Sequence, residues 1–166
     1  MTQNQLLIAD YQHEMVNTRK LLERVPLEKS DWRPHPKSMP LGELALHLAD
    51  MPTWIGYTLN HSELDFSKGY SPPKLPADQA ALVALMDKNV EQGIKDLEKA
   101  TEGTYAEPWT LRNGEQIYFT LPKLTVLKNF VFNHNIHHRA QLGVYLRLLD
   151  VPIPGMYGPS ADDKSM

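Results

Sequence analysis

Four stretches of this 166-residue chain place apolar residues at helical spacing, and prolines punctuate the gaps between them. The first runs from about Gln3 to Val25, with Leu7, Tyr11, Thr18, Leu21, Leu22 and Val25 on one face. Pro26 closes it, because the residue before a proline is pushed out of the helical region. After the proline-rich connection "SDWRPHPKSMP", Ser38 is the expected N-cap of the second stretch, "LGELALHLADMPTWIGYTLN". Pro40 falls in its first turn and Glu43 faces the positive end of the helix dipole. Pro52 should kink this helix, since it lacks a backbone donor and crowds the carbonyl of Leu48. The third stretch, about Asp78 to Ala100, aligns Leu82, Met86, Val90 and Leu97. The fourth begins near Pro122 and reaches Leu149.

The connections differ in kind. Residues 61–78, "HSELDFSKGYSPPKLPAD", are too rich in proline and glycine for a regular element and read as an ordered surface crossing. In "EPWTLRNGEQIYFT" the helical pattern breaks, and Asn113-Gly114 signals a hairpin with a type I′ turn. Residues 151–166 read as an irregular tail. Four amphipathic helices, one long crossover and a small hairpin before the last helix describe an all-α four-helix bundle. The length suits a single domain over 1–166, with its core at about 3–150.

Composition narrows the function. A net charge of −3, with no run of lysine and arginine, argues against nucleic-acid binding. The absence of cysteine excludes disulfides, thiolate metal sites and a cysteine nucleophile. The N-terminus lacks the pattern of a secretory signal, and no apolar run reaches the ~18–20 residues that span a bilayer, so a cytoplasmic protein without membrane partners is expected.

Chemistry enters through histidine. On the fourth helix, Leu127, Val131, His134, His138, Leu142, Tyr145 and Leu149 share one face at 100° per residue. His134 and His138, four apart, stack there and suit one metal ion. An unpartnered polar group buried in such a seam costs ~1–3 kcal/mol, which a metal would offset. His47 lies within the apolar arc of the second helix, beside Leu44, Leu48 and Met51, and can supply a third ligand. Three histidines with an open position are the pattern of catalytic rather than structural zinc. His137 belongs to the flank of its helix, and His13, His35 and His61 read as solvated. Asp10 and Glu14 fall on the arc of Leu7, Tyr11 and Leu21, where they could accept a hydrogen bond from a ligand histidine or take up a proton. Their alternative is a bundle end open to water. Arg139, off the ligand face, is expected in a structural ion pair.

These residues carry a resemblance. "LGELALHLADM", "NHNIHHRAQLGVYLR", the closing "YGPSAD" and the entry "DWRPHPKSMPLGEL" are similar to the DinB family of metal-binding four-helix bundles, over about residues 5–163. The family commonly has glycine where this chain has Ala140, an equally small neighbour for helix packing. The resemblance implies His47, His134 and His138 as metal ligands, with zinc or nickel as the usual ion. It implies an up-down-down-up bundle in which residues 61–78 join two parallel neighbours, and frequent homodimers. Some members transfer low-molecular-weight thiols to electrophiles, one relative isomerises a ring-opened acid with a thiol cofactor, and many have no established activity. The family name refers to DNA-damage induction and implies no DNA binding.

Three neutral imidazoles leave the charge of a divalent ion uncompensated and favour hydroxide or thiolate as fourth ligand. The leading expectation is a metal-dependent transferase that activates a small external thiol as metal-bound thiolate against a small-molecule electrophile. A hydrolase needs a nearby base, for which only Asp10 or Glu14 qualifies. A non-catalytic metal-binding or interaction protein needs a fourth protein ligand, for which Glu43, one turn before His47, is the candidate. The Glu-x-x-His pairs of di-iron bundles and the HExxH motif are both absent.

Overall fold

The apolar spacing becomes a set of packed helices with a small sheet at one side. The computed structural model describes residues 2–163. In chain order the elements are α1 (Gln3–Leu22), α2 (Leu41–Asp50), α3 (Thr53–Asn60), β1 (Glu63–Asp65), α4 (Gln79–Lys99), α5 (Glu102–Ala106), β2 (Pro108–Asn113), β3 (Gln116–Pro122), α6 (Lys123–Val126) and α7 (Asn133–Leu148). Helices α1 and α2 each pack on both α4 and α7, and α3 continues along α4. Leu21, Leu22, Leu41, Leu44, Leu48, Ile55, Leu82, Leu97, Leu127 and Leu142 are fully buried where these faces meet. None of the described helices is long and apolar enough to cross a membrane.

The helix ends follow local chemistry, with one change from expectation. Thr2 and Gln5 form a reciprocal capping box at α1, and the Asp78 carboxylate caps α4 through Ala81 N–H. Helix α2, however, has Pro40 rather than Ser38 at its N-cap and no side-chain cap. The first two N–H groups of α2, on Leu41 and Gly42, donate instead to the carbonyls of Trp32 and Ser30, each at 2.8 Å. The preceding loop thus supplies the acceptors that a capping side chain would otherwise provide. Pro52 interrupts the second helix between α2 and α3 as its chemistry requires. Across this kink the Asn89 amide of α4 donates to Ala49 O at 3.0 Å.

The sheet corrects the all-α expectation, since the described residues are mostly helical but hold three strands in the order β1-β2-β3. The hairpin forms where expected, but Asn113 pairs with Gln116, so its two-residue turn is Gly114-Glu115. Of these two, only Gly114 has positive φ, at 59°, which is the pattern of glycine at the first central position (type II′) rather than type I′. Strand β1 was not anticipated. It lies in the crossing segment and pairs in parallel with β2, Leu64 opposite Leu111. The Asp65 carboxylate then accepts from Gly114 N–H at 2.9 Å and Ser67 N–H at 3.0 Å, tying the crossing to the hairpin turn. Further on, Tyr70 donates to Asp50 at 3.0 Å and pins the crossing to the end of α2. Burial of this pair raises the Asp50 carboxyl and pushes the Tyr70 hydroxyl up to about 12.

The last helix is not uniform either. Residues Leu127–Phe132 form a π-helical segment, in which Asn133 N–H donates to Lys128 O, five residues back. One extra residue per turn rotates everything that follows. The deeply buried positions of α7 are therefore Asn135, Arg139, Leu142, Tyr145 and Leu146, while His134 and His138 sit half-buried at the edge of the seam rather than at its centre.

Arg139 fills the space so created. It donates to Glu14 O at 2.8 Å, pairs with the Glu14 carboxylate at 2.5 Å, and touches the Tyr157 hydroxyl, which itself donates to Glu14 at 2.6 Å. Beside it the Thr18 hydroxyl donates to Asn135 at 2.7 Å. This cluster joins α1, α7 and the tail. Residues 151–163 have no helix or strand but are fastened by Arg147–Asp162 and by Ser160 on Ile153 O; residues 164–166 of the expected tail lie outside the described residues. The arginine side chain is 3% exposed and that of Glu14 18%. Removing one partner of a buried pair strands the other charge. Glu14→Ala should therefore lower stability by about 3 kcal/mol in urea unfolding, whereas a loss under about 0.5 kcal/mol would show the pair to be incidental.

Candidate metal centre

The half-buried edge of α7 faces the last turn of α2. His134 and His138 project from successive turns of α7, and His47 meets them from α2. Ring centroids are 4.6 Å apart for His134–His138, 4.7 Å for His47–His138 and 5.3 Å for His47–His134. One nitrogen from each ring lies within 4.8 Å of the other two. The residues around His47 explain its placement: Leu44 and Leu48 drive that face of α2 into the core and carry the imidazole to the rim.

Two acceptors set the orientation of the rings on α7. The Phe130 carbonyl, which can only accept, takes the Nδ1–H of His134 at 3.3 Å. The Gln141 amide oxygen takes the Nδ1–H of His138 at 2.7 Å. Both Nε2 atoms are then left with lone pairs, and they face each other at 2.8 Å. Two lone pairs at hydrogen-bond distance repel unless a positive charge stands between them. A proton is disfavoured there: burial, then the neighbouring His138 and His134, lower His47 to about 4, and burial likewise lowers His134 and His138. A divalent cation satisfies all three nitrogens at once, so the donor set fits a metal ion.

The other sequence candidates lie elsewhere. Asp10 is exposed on α1, and Glu14 is engaged by Arg139 and Tyr157 rather than by a ligand histidine. The arc of α1 that is buried runs through Leu7, Tyr11, Met15 and Thr18, which leaves Asp10 on its margin and turns Glu14 toward Arg139. Glu43 is exposed and outside the histidine cluster. His137 is exposed, with its ring 5.0 Å from that of His138. His13, His35 and His61 are exposed, as expected. Two contributors were not anticipated. Gln141 stands three residues after His138, a spacing legible on a helix, but the Phe130 carbonyl is brought into place by the irregular segment before α7.

The family model described as the DinB superfamily matches residues 11–142. The chain belongs to the DinB superfamily. The match spans His47, His134 and His138. Solved structures agree on the fold: a DinB-like protein from Bacillus subtilis aligns with a TM-score of 0.68 at 17% identity, covering 97% of this chain and 99% of its own. A DinB-like protein from Bacillus cereus gives a TM-score of 0.70 at 20% identity, covering 91% and 95% respectively. No curated protein matches the chain.

The lowered histidines make a pH prediction for metal-free protein. The unfolded imidazoles titrate near the ordinary value of 6.5, and His47 of the fold near 4. Between these values the unfolded chain binds more protons, so stability is full above about pH 6.5 and falls as pH drops through this window. Chelator-treated protein should lose stability in urea from pH 7 to pH 5, and His47→Gln should flatten that slope. A slope of the same size in the variant would assign the effect to other groups.

Proposed function

We propose that this DinB protein is a metal-dependent transferase that activates a small external thiol for attack on an electrophile. The observation that carries this reading is the donor set, three imidazoles with no carboxylate among them. A divalent ion held there, zinc or nickel, would supply uncompensated positive charge that lowers the pKa of a bound thiol into the neutral range. His47, His134 and His138 would hold the ion. Phe130 O and Gln141 keep the Nδ1 protons of His134 and His138 outward and their Nε2 atoms inward. The chain has no cysteine, so the thiol comes from a separate small molecule.

Among the described residues, the side chains that the rival readings call on stand outside the histidine cluster. Hydrolysis needs a free base at the site, and Glu14 is held by Arg139 while Asp10 is exposed. A closed, purely structural site needs a fourth protein ligand, and exposed Glu43 stands outside the cluster. Family membership also supports an up-down-down-up order of the four long helices and a homodimer, which sedimentation equilibrium tests.

In a screen of low-molecular-weight thiols against chromogenic alkyl and aryl halides, zinc- or nickel-loaded protein should turn over only when thiol is present. Residues that merely orient metal ligands are worth 10–100-fold, so loss of a ligand itself in His134→Ala should lower the rate by at least about 100-fold. Turnover with water as sole nucleophile would point to the hydrolase instead.

A further inference from the structure

The kink at Pro52 has a second consequence, on the side of α3 that faces α4. Here a cleft of about 240 Å³ is lined by Gly56, Tyr57, Asn60 and His61 on one side and by Gln92 and Asp96 on the other. It is separate from the histidine cluster. Gly56 is nine residues beyond His47, which at 1.5 Å per residue places it about 14 Å further along the helix path.

Asp96 is the unusual group. It is 6% exposed, yet it forms no ion pair among the described residues. Its hydrogen-bond donor is the Gln92 amide, at a long 3.3 Å to each carboxylate oxygen. Carboxylates are rarely buried unless paired, and an uncompensated buried charge is costly. The carboxylate is also given room deliberately. A Cβ at Gly56 would lie 3.0 Å from Asp96 Oδ2, tighter than an ordinary contact, so bare backbone at this position leaves room for the carboxylate.

The remaining walls suit a cation. Among the described residues no lysine or arginine lines the cleft. The amides of Asn60 and Gln92 offer oxygens that can accept from an ammonium group. The rings of Tyr57 and His61, 6.2 Å apart, offer π faces, and the face of Tyr57 attracts positive charge. One carboxylate with amides is too sparse a donor set for a divalent metal, which takes six or more oxygens when it is calcium or magnesium. The volume of about 240 Å³ accommodates a short alkyl chain beside the carboxylate.

We propose that this cleft binds a small primary alkylammonium ion, with Asp96 as its counter-charge and Asn60 and Gln92 as its hydrogen-bonding walls. The site is independent of the metal centre and of the reading given for it.

The test uses ethylammonium chloride as probe against full-length, metal-loaded protein, followed by the side-chain amide signals of Asn60 and Gln92 in 1H–15N spectra. Ethanol serves as the neutral control of similar size and sodium chloride as the ionic-strength control. Saturable shifts with ethylammonium alone, with half-saturation in the millimolar range, are expected. Asp96→Asn should weaken that binding at least about tenfold, in line with loss of a desolvated charge partner. Should that variant fail to fold, Gly56→Ala, whose methyl occupies the cradle beside Asp96, should abolish the shifts. Absence of saturable shifts in the wild type, equal shifts with sodium chloride or ethanol, or unchanged binding in either folded variant would overturn the proposal.

Discussion

With Nδ1 of His134 and His138 each donating to an oxygen, their Nε2 lone pairs face each other at 2.8 Å, an arrangement that a cation between them relieves. Most of what is distinctive in this chain serves to hold them so. The Phe130 carbonyl and the Gln141 amide fix which nitrogen of each ring is free. Burial makes protonation an unfavourable way to relieve the repulsion, because charging an imidazole there forfeits its hydration. His47, arriving from another helix, converts a strained pair into a three-nitrogen pocket.

That pocket depends on the register of α7, which is set outside the pocket. The π-helical segment adds a residue just before the first histidine, so Asn135 and Arg139 take the deep positions and His134 and His138 the rim. A buried arginine then has to be satisfied, and it is: Glu14 supplies both a backbone carbonyl and a carboxylate, and Tyr157 brings the tail over the pair. Arg139 follows His138 directly, so the same contacts that lock α7 onto α1 also hold the ligand helix against sliding. Stability and chemistry therefore share one set of restraints. A rim position has a further merit: a ligand set at the edge of the core can accept a small molecule, whereas one at its centre could not.

Much of this was legible in the sequence because its signals are local. Apolar spacing located the long helices, and Pro52 marked the break between α2 and α3. The four-residue spacing of His134 and His138, with His47 on an apolar arc, singled out the same three side chains that the fold brings together. What escaped was non-local or backbone-borne. Strand β1 is three mostly polar residues that become a strand only because the edge of β2 offers hydrogen bonds. The caps of α2 are loop carbonyls, invisible to a search for capping side chains. A projection at a constant 100° per residue cannot register a π turn, so it placed the histidines one position too deep and left Arg139 off the buried face. Glu14 shows the same limit: its position on α1 was readable, but its partner lies on a helix 125 residues away.

The most direct test of the account is the metal content of untagged protein by mass spectrometry, for the wild type and for His47→Ala, His134→Ala and His138→Ala. Near-stoichiometric divalent metal in the wild type, lost in all three folded variants, is the result the three-nitrogen pocket requires. A wild type that takes up neither zinc nor nickel would contradict it, and the facing lone pairs would then have to be relieved by a shared proton.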